Sequence, residues 1–314
     1  MEIKTGSEYA TQKRKRNTKM PVNPRTGLLE TFHEYYRVPH VQQKNINALR
    51  LNGQPSAVHT APLGNGMTID FFSQFSSSDE LIVAFHGANS ERSQFYPRFE
   101  RVHSLKTKAP SFLAFADPSM QIGIDSGLQL AWYLGGPEFD PMHAVAKVIR
   151  RAIGRTGAKH VAFIGGSGGG FAALRASAMW PGSLAFIQDP QTNIAVYIPS
   201  VVQKYFETLW PGWSRPSLLK AFPDRFDMVR HYQSLQPQNF VYYAQNSTDT
   251  THVEKHYTPF LEVHGMKEDR GISAAKNRYF ALYDGELSGH GKITAEEFNQ
   301  HYDRALEFWR ENRN

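Results

Sequence analysis

The chain has 314 residues, of which 40% are hydrophobic and 20% charged, with no cysteine and a formal net charge of +6. A polypeptide of this size buries roughly three quarters of its unfolded surface, and the missing cysteines exclude disulfides, cysteine-bound zinc and a thiol nucleophile. No run of about 18 apolar residues is present to span a bilayer, and the N-terminus lacks the apolar core of a signal peptide, so the expectation is a cytoplasmic protein without a transmembrane segment.

Residues 1–27 read as a basic, disordered tail. Residues 1–25 hold seven Lys and Arg against two Glu and so carry +5 of the net charge, with almost nothing apolar to pack. Lys13-Arg14-Lys15-Arg16 is its densest stretch, and Met20 is an alternative start. A solvated tail is expected there, with no nucleic-acid partner. Residues 28–314 read as one α/β domain, because short apolar runs bounded by turn residues alternate with helical patterns.

Met67 to Phe75 and Leu81 to Phe85 predict the first strands. The second runs into His86-Gly87-Ala88-Asn89, a loop whose N–H groups at Ala88, or else Gly87, are candidates for an oxyanion hole once a nucleophile is found; His86 reads as structural. Phe112 to Ala116 predicts another strand. Trp132 and Tyr133 follow, and Met142 to Ile153 has the period of a helix.

Val161 to Ile164 then passes into Gly165-Gly166-Ser167-Gly168-Gly169-Gly170 and a helical stretch from Gly169 to Met179. Strand, Gly-x-Ser-x-Gly and helix is the layout of a nucleophile elbow, which needs small residues where strand and helix backbones approach. A phosphate-binding loop is excluded because Phe171 and Ala172 stand where Lys and Ser or Thr belong. Ser167 is the candidate nucleophile, and the N–H of Gly168 is the second oxyanion donor.

Leu184 to Ile187 predicts the next strand, ending at Gln188-Asp189-Pro190. Residues 190–238 break the rhythm, with Tyr205, Phe206, Trp210, Trp213, Phe222 and Phe226 among scattered prolines. An irregular loop of that length is uncommon in a compact domain, so a small helical cap over the strand ends is expected. Trp132, Tyr133, Trp210 and Trp213 are candidates for a substrate-binding surface.

Phe240 to Ala244 predicts a strand followed by Asp249, the favoured acid of a triad, with Asp189 its rival. His252-x-x-x-His256 has helical metal-ligand spacing but lacks the H-E-x-x-H order; structural roles are expected, and no metal or other cofactor. Arg278 to Tyr283 predicts the last strand. It leads to Ser288-Gly289-His290-Gly291 and a helix from Ala295 to Glu311. His290, on a glycine-flanked loop after a strand, is the candidate base. Glu286 to Phe298 also has the glycine and final glutamate spacing of a calcium loop, but His290 would replace a hard oxygen ligand.

His86-Gly87, Gly165-x-Ser167-x-Gly169, Asp249 and His290, in that order over residues 65–312, resemble the α/β-hydrolase superfamily. The resemblance implies a mainly parallel sheet flanked by helices and a Ser-His-Asp triad in that fold's chain order. Trp132-Tyr-Leu-Gly135, Gly165 to Leu174, Gln188-Asp-Pro-Gln-Thr192, Asp249-Thr-Thr-His252 and Pro259-Phe260 are similar to the hydrolase-like domains of glycan-modifying proteins in bacterial accessory secretion systems. That family and the capsule O-acetyltransferases of this fold imply acyl or acetyl chemistry on glycans. The expected function is hydrolysis of carboxylic esters through an acyl-enzyme, on a small-molecule or glycan substrate. Two alternatives stay open: O-acyl transfer by the same triad, and a fold retained as a non-catalytic binding module.

Overall fold

The computed structural model describes residues 21–89, 96–123 and 126–313. In chain order they form β1 (Leu29–His33), β2 (Val38–Gln42), β3 (Ser56–Pro62), β4 (Thr68–Gln74), β5 (Glu80–Phe85), α1 (Val102–Lys108), β6 (Phe112–Phe115), α2 (Pro141–Thr156), β7 (His160–Gly166), α3 (Gly168–Ala178) and β8 (Leu184–Gln188). There follow α4 (Pro199–Leu209), α5 (Arg215–Ala221), α6 (Pro223–Phe226), α7 (Met228–Leu235), β9 (Phe240–Asn246), α8 (Thr250–His252), a π turn (Val253–Tyr257), α9 (Thr258–Glu262), β10 (Gly271–Ile272), β11 (Arg278–Tyr283) and α10 (Ala295–Asn312).

The strands make one sheet in the order β1-β2-β3-β4-β6-β5-β7-β8-β9-β11-β10. From β6 to β11 all neighbours run parallel. A parallel sheet is covered by helices on both faces, so its strands are apolar throughout rather than alternating, and β6 and β8 are buried at every position. Helices α2 and α3 and the 190–238 segment pack on one face, α1 and α10 on the other. Helix α2 starts cleanly because the Asp140 carboxylate accepts from Met142 N at 3.0 Å beside Pro141, and it stops at Gly157 in the left-handed conformation. Helix α10 starts with a capping box between Thr294 and Glu297.

Parallel strands all present their carboxyl ends to one edge. That edge therefore gathers the loop after β5 with His86, the elbow after β7, Asp189 after β8, Asp249 after β9 and His290 after β11.

The structure departs from the sequence reading at the N-terminal side. Of the expected tail, residues 1–20, including Lys13 to Arg16, lie outside the described residues. Pro21 to Gly27 form a turn, with Gly27 N donating to Asn23 O at 2.7 Å and Val22 bridging Leu29. Strands β1 to β3 were not foreseen, because none carries a long apolar run: the edge strand β1 is half-exposed, and β2 and β3 mix Pro39, His40, His59 and Thr60 with their apolar residues. The 190–238 segment is helical as expected. Its aromatics turn inward: Tyr205 Oη donates to Gly135 O at 2.9 Å and Tyr232 Oη to Leu174 O at 3.0 Å.

Candidate active site

Ser167 sits between β7 and α3 at φ 54°, ψ −123°, a conformation that costs a non-glycine residue strain and recurs at functional sites. The chain tolerates it because the turn is over-determined by close backbone contacts. A side chain at Gly165 would run into the backbone of Gly169, and one at Gly169 into the backbone of Phe85 and His86. The Ser167 N–H donates to Gln188 O on β8 at 3.0 Å. The strained turn thus lifts the side chain clear of the sheet edge.

His290 Nε2 lies 2.8 Å from Ser167 Oγ, and His290 Nδ1 lies 2.9 Å from Asp249 Oδ2. Asp249 is 7% exposed. Its other oxygen, Oδ1, accepts from His252 N at 3.3 Å as the cap of α8, which fixes the carboxylate plane. The His290 loop is held by the last residue of β9 and one just beyond it: Asn246 Nδ2 donates to Leu287 O at 2.8 Å, and Gly289 N donates to Thr248 Oγ1 at 3.2 Å. Gly289 and Gly291 have φ of 93° and 67°, which lets the chain reverse on both sides of the imidazole. The calcium-loop reading fails, because Glu297 is committed to Thr294 N at 2.8 Å and to Glu286 N at 2.8 Å.

Asp189 does not replace Asp249. Its Oδ1 accepts from Asn246 N at 2.8 Å and its Oδ2 from Gln188 Nε2 at 3.1 Å, so it ties β8 to β9. Burial raises its pKa to about 6.

Two residues that the sequence reading did not assign complete the cluster. Gln191 Nε2 lies 2.9 Å from Ser167 Oγ and 3.2 Å from His252 Nε2, while Gln191 Oε1 accepts from Trp132 Nε1 at 3.1 Å. His252 Nδ1 lies 3.0 Å from Asp249 Oδ2, without the alignment of a hydrogen bond. Ser167, His290, Asp249, His252 and Gln191 therefore close into a ring. The His252 and His290 rings stack with centroids 3.9 Å apart and planes 16° apart. Asp249, His252 and His290 lie close enough to hold a metal ion, and both imidazole Nδ1 atoms lie within 3.0 Å of Asp249 Oδ2. Burial lowers the pKa of His252 to about 4 and of His256 to about 3, so both are neutral at pH 7.

The loop after β5 faces the elbow. A side chain at Gly87 would meet Gly166 O at 3.2 Å and Ser167 Cβ at 3.5 Å. His86 Nδ1 lies 2.7 Å from Gly87 O and its Nε2 accepts from Asp117 N at 3.0 Å. With Nε2 accepting, Nδ1 carries the proton of the neutral ring and donates to Gly87 O. The Gly87 carbonyl and the Ala88 N–H share one planar trans peptide, so the His86 bond also aims the Ala88 N–H the opposite way. Arg98 Nη1 donates to Ala88 O at 2.7 Å and fixes the next peptide. Among the described residues, neither Ala88 N nor Gly168 N donates to another protein group. Two uncommitted N–H groups beside the serine are what an oxyanion hole requires.

The aromatic quartet does not form a substrate surface. Trp132, Tyr133 and Trp210 are at most 1% exposed. Tyr133 Oη accepts from His86 N at 3.2 Å and donates to Phe115 O at 2.8 Å, bracing the oxyanion loop, and Trp132 braces Gln191. Trp213 is exposed but packs on Trp210 and Phe222. The cavity at Ser167 holds about 230 Å³ and is bordered by Gly87, Ala88, Arg98, Glu100, Arg101 and His290 among others. None of its lining residues comes from the 190–238 segment. That segment reaches the site from behind, through Gln191 and through Tyr197, whose ring lies 5.9 Å from His252 and 6.5 Å from His290.

The mainly parallel sheet with helices on both faces shares its arrangement with many solved structures, esterases among them. This is the α/β-hydrolase fold. The capsule O-acetyltransferase of Neisseria meningitidis serogroup A superimposes with a TM-score of 0.55 at 12% identity, over 83% of this chain and 96% of that one. A chain of the Glycosylation Associate Protein (Gap123) complex from Streptococcus agalactiae gives 0.56 at 16% identity, over 79% of this chain and 45% of that one. Carboxyl esterase 2 of the mycorrhizal fungus Tuber melanosporum gives 0.51 at 11% identity, over 86% and 90%. At the level of sequence no family model matches, and no curated protein does. Within this α/β-hydrolase fold, the described helices include none long and apolar enough to cross a membrane.

Proposed function

We propose that the chain is a serine-dependent enzyme acting on carboxylic esters with a short acyl group. The observation that carries this reading is the continuous path from Ser167 Oγ to His290 at 2.8 Å and from His290 to Asp249 at 2.9 Å, in front of the uncommitted N–H groups of Ala88 and Gly168. Ser167 Oγ attacks the ester carbonyl while His290 Nε2 takes its proton. Asp249 holds the imidazolium, and the two N–H groups receive the negative charge that develops on the carbonyl oxygen. The tetrahedral intermediate collapses, His290 returns the proton to the leaving alkoxide, and an acyl-Ser167 ester remains. Water, activated by the same imidazole, then releases the carboxylic acid. The His290 side chain is 29% exposed, so water reaches it, and this favours hydrolysis over transfer to a second hydroxyl.

The acyl group is short because the cavity of about 230 Å³ is walled, among the described residues, by small and polar side chains rather than by the apolar ones that hold a long alkyl chain. A glycan O-acetyl ester fits that space, and the capsule O-acetyltransferase shares the fold. Incubation with a fluorophosphonate probe tests the reading: wild-type protein is labelled with release of the fluoride, and Ser167→Ala protein of unchanged thermal midpoint is not. Absence of labelling in folded wild-type protein contradicts the enzymatic reading and favours a binding module. Product analysis of acetyl-ester turnover with and without added sugar separates hydrolysis from transfer. Acetate released at the same rate in both supports hydrolysis.

A further inference from the structure

Two guanidinium groups border the cavity at Ser167, and their surroundings differ. Arg98 is fully engaged: Nη1 donates to Ala88 O at 2.7 Å and Asn89 Oδ1 at 3.2 Å, and Nη2 pairs with Glu100 Oε2 at 2.8 Å. It braces the oxyanion loop. Arg101 has one hydrogen bond among the described residues, from Nη2 to Gln188 Oε1 at 3.2 Å, and its guanidinium lies over the Phe298 ring at 3.9 Å. No carboxylate of the described residues lies within ion-pair distance of it.

This is an expensive arrangement for stability alone. A largely enclosed cation without a counter-ion loses hydration that nothing in the protein restores, and burial accordingly lowers the Arg101 pKa from its ordinary value, while the guanidinium remains charged at neutral pH. Among the described residues, the carboxylate that acts on it is Glu100, already paired with Arg98. Arg101 is also held at φ 61° at the N-cap of α1, a left-handed conformation that costs a non-glycine residue energy. The partner Gln188, at the end of β8, adjoins the elbow: Gln188 O accepts the Ser167 N–H, so the guanidinium is one side chain from the nucleophile. Among the described residues, two cations against one carboxylate leave the cavity net positive, with planar donors there of the kind that match carboxylate and phosphoryl oxygens.

We propose that Arg101 forms an anion subsite, so that the ester taken by Ser167 carries a carboxylate or phosphoryl group close to the scissile bond. The inference rests on the serine-esterase reading and narrows its substrate class. The enclosed volume of about 230 Å³ accommodates a short acyl group and one such anion together. Charge-assisted pairing with the guanidinium would position the carbonyl under the Ala88 and Gly168 N–H groups as well as add affinity.

The test compares full-length protein on four esters: neutral 4-nitrophenyl acetate, mono(4-nitrophenyl) succinate with the anion on the acyl side, and 4-acetoxybenzoate and 4-acetoxyphenyl phosphate with a carboxylate or phosphoryl group on the leaving side. At least one anionic ester is expected to exceed the neutral one in kcat/KM by roughly tenfold or more, an ordinary value for a charge-assisted contact, and this ratio should shrink with added salt. Arg101→Gln should collapse the ratio and Arg101→Lys should recover part of it. Ratios near one for all three anions, or a ratio that Arg101→Gln leaves intact, overturn the subsite. Free succinate and phenyl phosphate should also slow fluorophosphonate labelling of Ser167. Labelling that neither anion slows counts against the subsite alone, whereas no labelling at all removes the serine reading and the subsite with it.

Discussion

Gln191 touches the nucleophile without belonging to the triad. Its amide meets Ser167 Oγ at 2.9 Å and is held by the buried indole of Trp132. Replacing it with leucine leaves the Trp132 N–H and His252 Nε2 without a partner and frees Ser167 Oγ to adopt other rotamers. Losing a buried hydrogen bond of this kind costs about 1–3 kcal/mol, so Gln191→Leu should lower kcat/KM on 4-nitrophenyl acetate by roughly ten- to hundredfold. Far-UV circular dichroism checks that the fold is intact. A change of less than about twofold would show that the amide only fills space. The sequence marks Gln191 only as part of Gln188-Asp-Pro-Gln-Thr192, without a role. Its importance arises from where the left-handed Asp189, at φ 41°, turns the chain.

At the level of elements, the elbow is a junction between two backbones and the glycines serve different ends. A methyl group at Gly169 has no room beside the backbone of Phe85 and His86, whereas one at Gly154, inside α2, meets nothing within 4 Å. Gly169→Ala should therefore destabilise the protein by at least about 3 kcal/mol, and Gly154→Ala should stabilise it by about 1 kcal/mol, the helical preference of alanine over glycine. Denaturant midpoints check both, and equal midpoints would refute the account of the junction. This junction was legible in the sequence because the need for small residues at fixed spacing is a local constraint. So were β4 to β9, whose burial on both faces writes itself as continuous apolar runs, and the half-buried β11 with its run from Tyr279 to Tyr283. Strands β1 and β2 were not, since the half-exposed edge strand β1 takes polar residues and β2 carries Pro39. The order Ser167, Asp249, His290 could be read, but Trp132 and Tyr133 were misplaced on a substrate surface. An aromatic dipeptide looks the same in sequence whether it faces a ligand or braces a loop, and here both residues have positive φ and point into the core.

Over the whole molecule, buried histidines set the response to acid. Burial holds His59, His256 and His264 down to about 3 and His86 and His252 down to about 4. A histidine with a depressed folded-state pKa takes up its proton in the unfolded chain first. Its stability contribution is thus present above the unfolded value of 6.5 and is lost as pH falls toward the folded one. Asp117 and Asp189, both raised by burial to about 6, act in the opposite sense, because between about 4 and 6 the folded state binds the extra proton. Five groups outweigh two, so unfolding near pH 5 should take up roughly three protons, and the thermal midpoint should fall steeply between pH 6.5 and 4. Calorimetry in buffers of different ionisation enthalpy measures that uptake. A midpoint that is flat across the window would contradict the burial of these imidazoles.

The ring through Ser167, His290, Asp249, His252 and Gln191 has a direction. The carboxylate can only accept, and does so from His290 Nδ1, while the amide nitrogen can only donate, to Ser167 Oγ and His252 Nε2, so Gln191 is the source of the circuit and Asp249 its sink. The Trp132 indole, able only to donate, forbids the amide from turning over. Gln191 donating to His252 Nε2 puts that ring's proton on Nδ1, and Asp249 accepting from His290 Nδ1 leaves His290 Nε2 bare toward Ser167. An indole that never faces the cavity thus fixes the amide that donates to Ser167 Oγ, and so leaves the serine's own proton to point at His290.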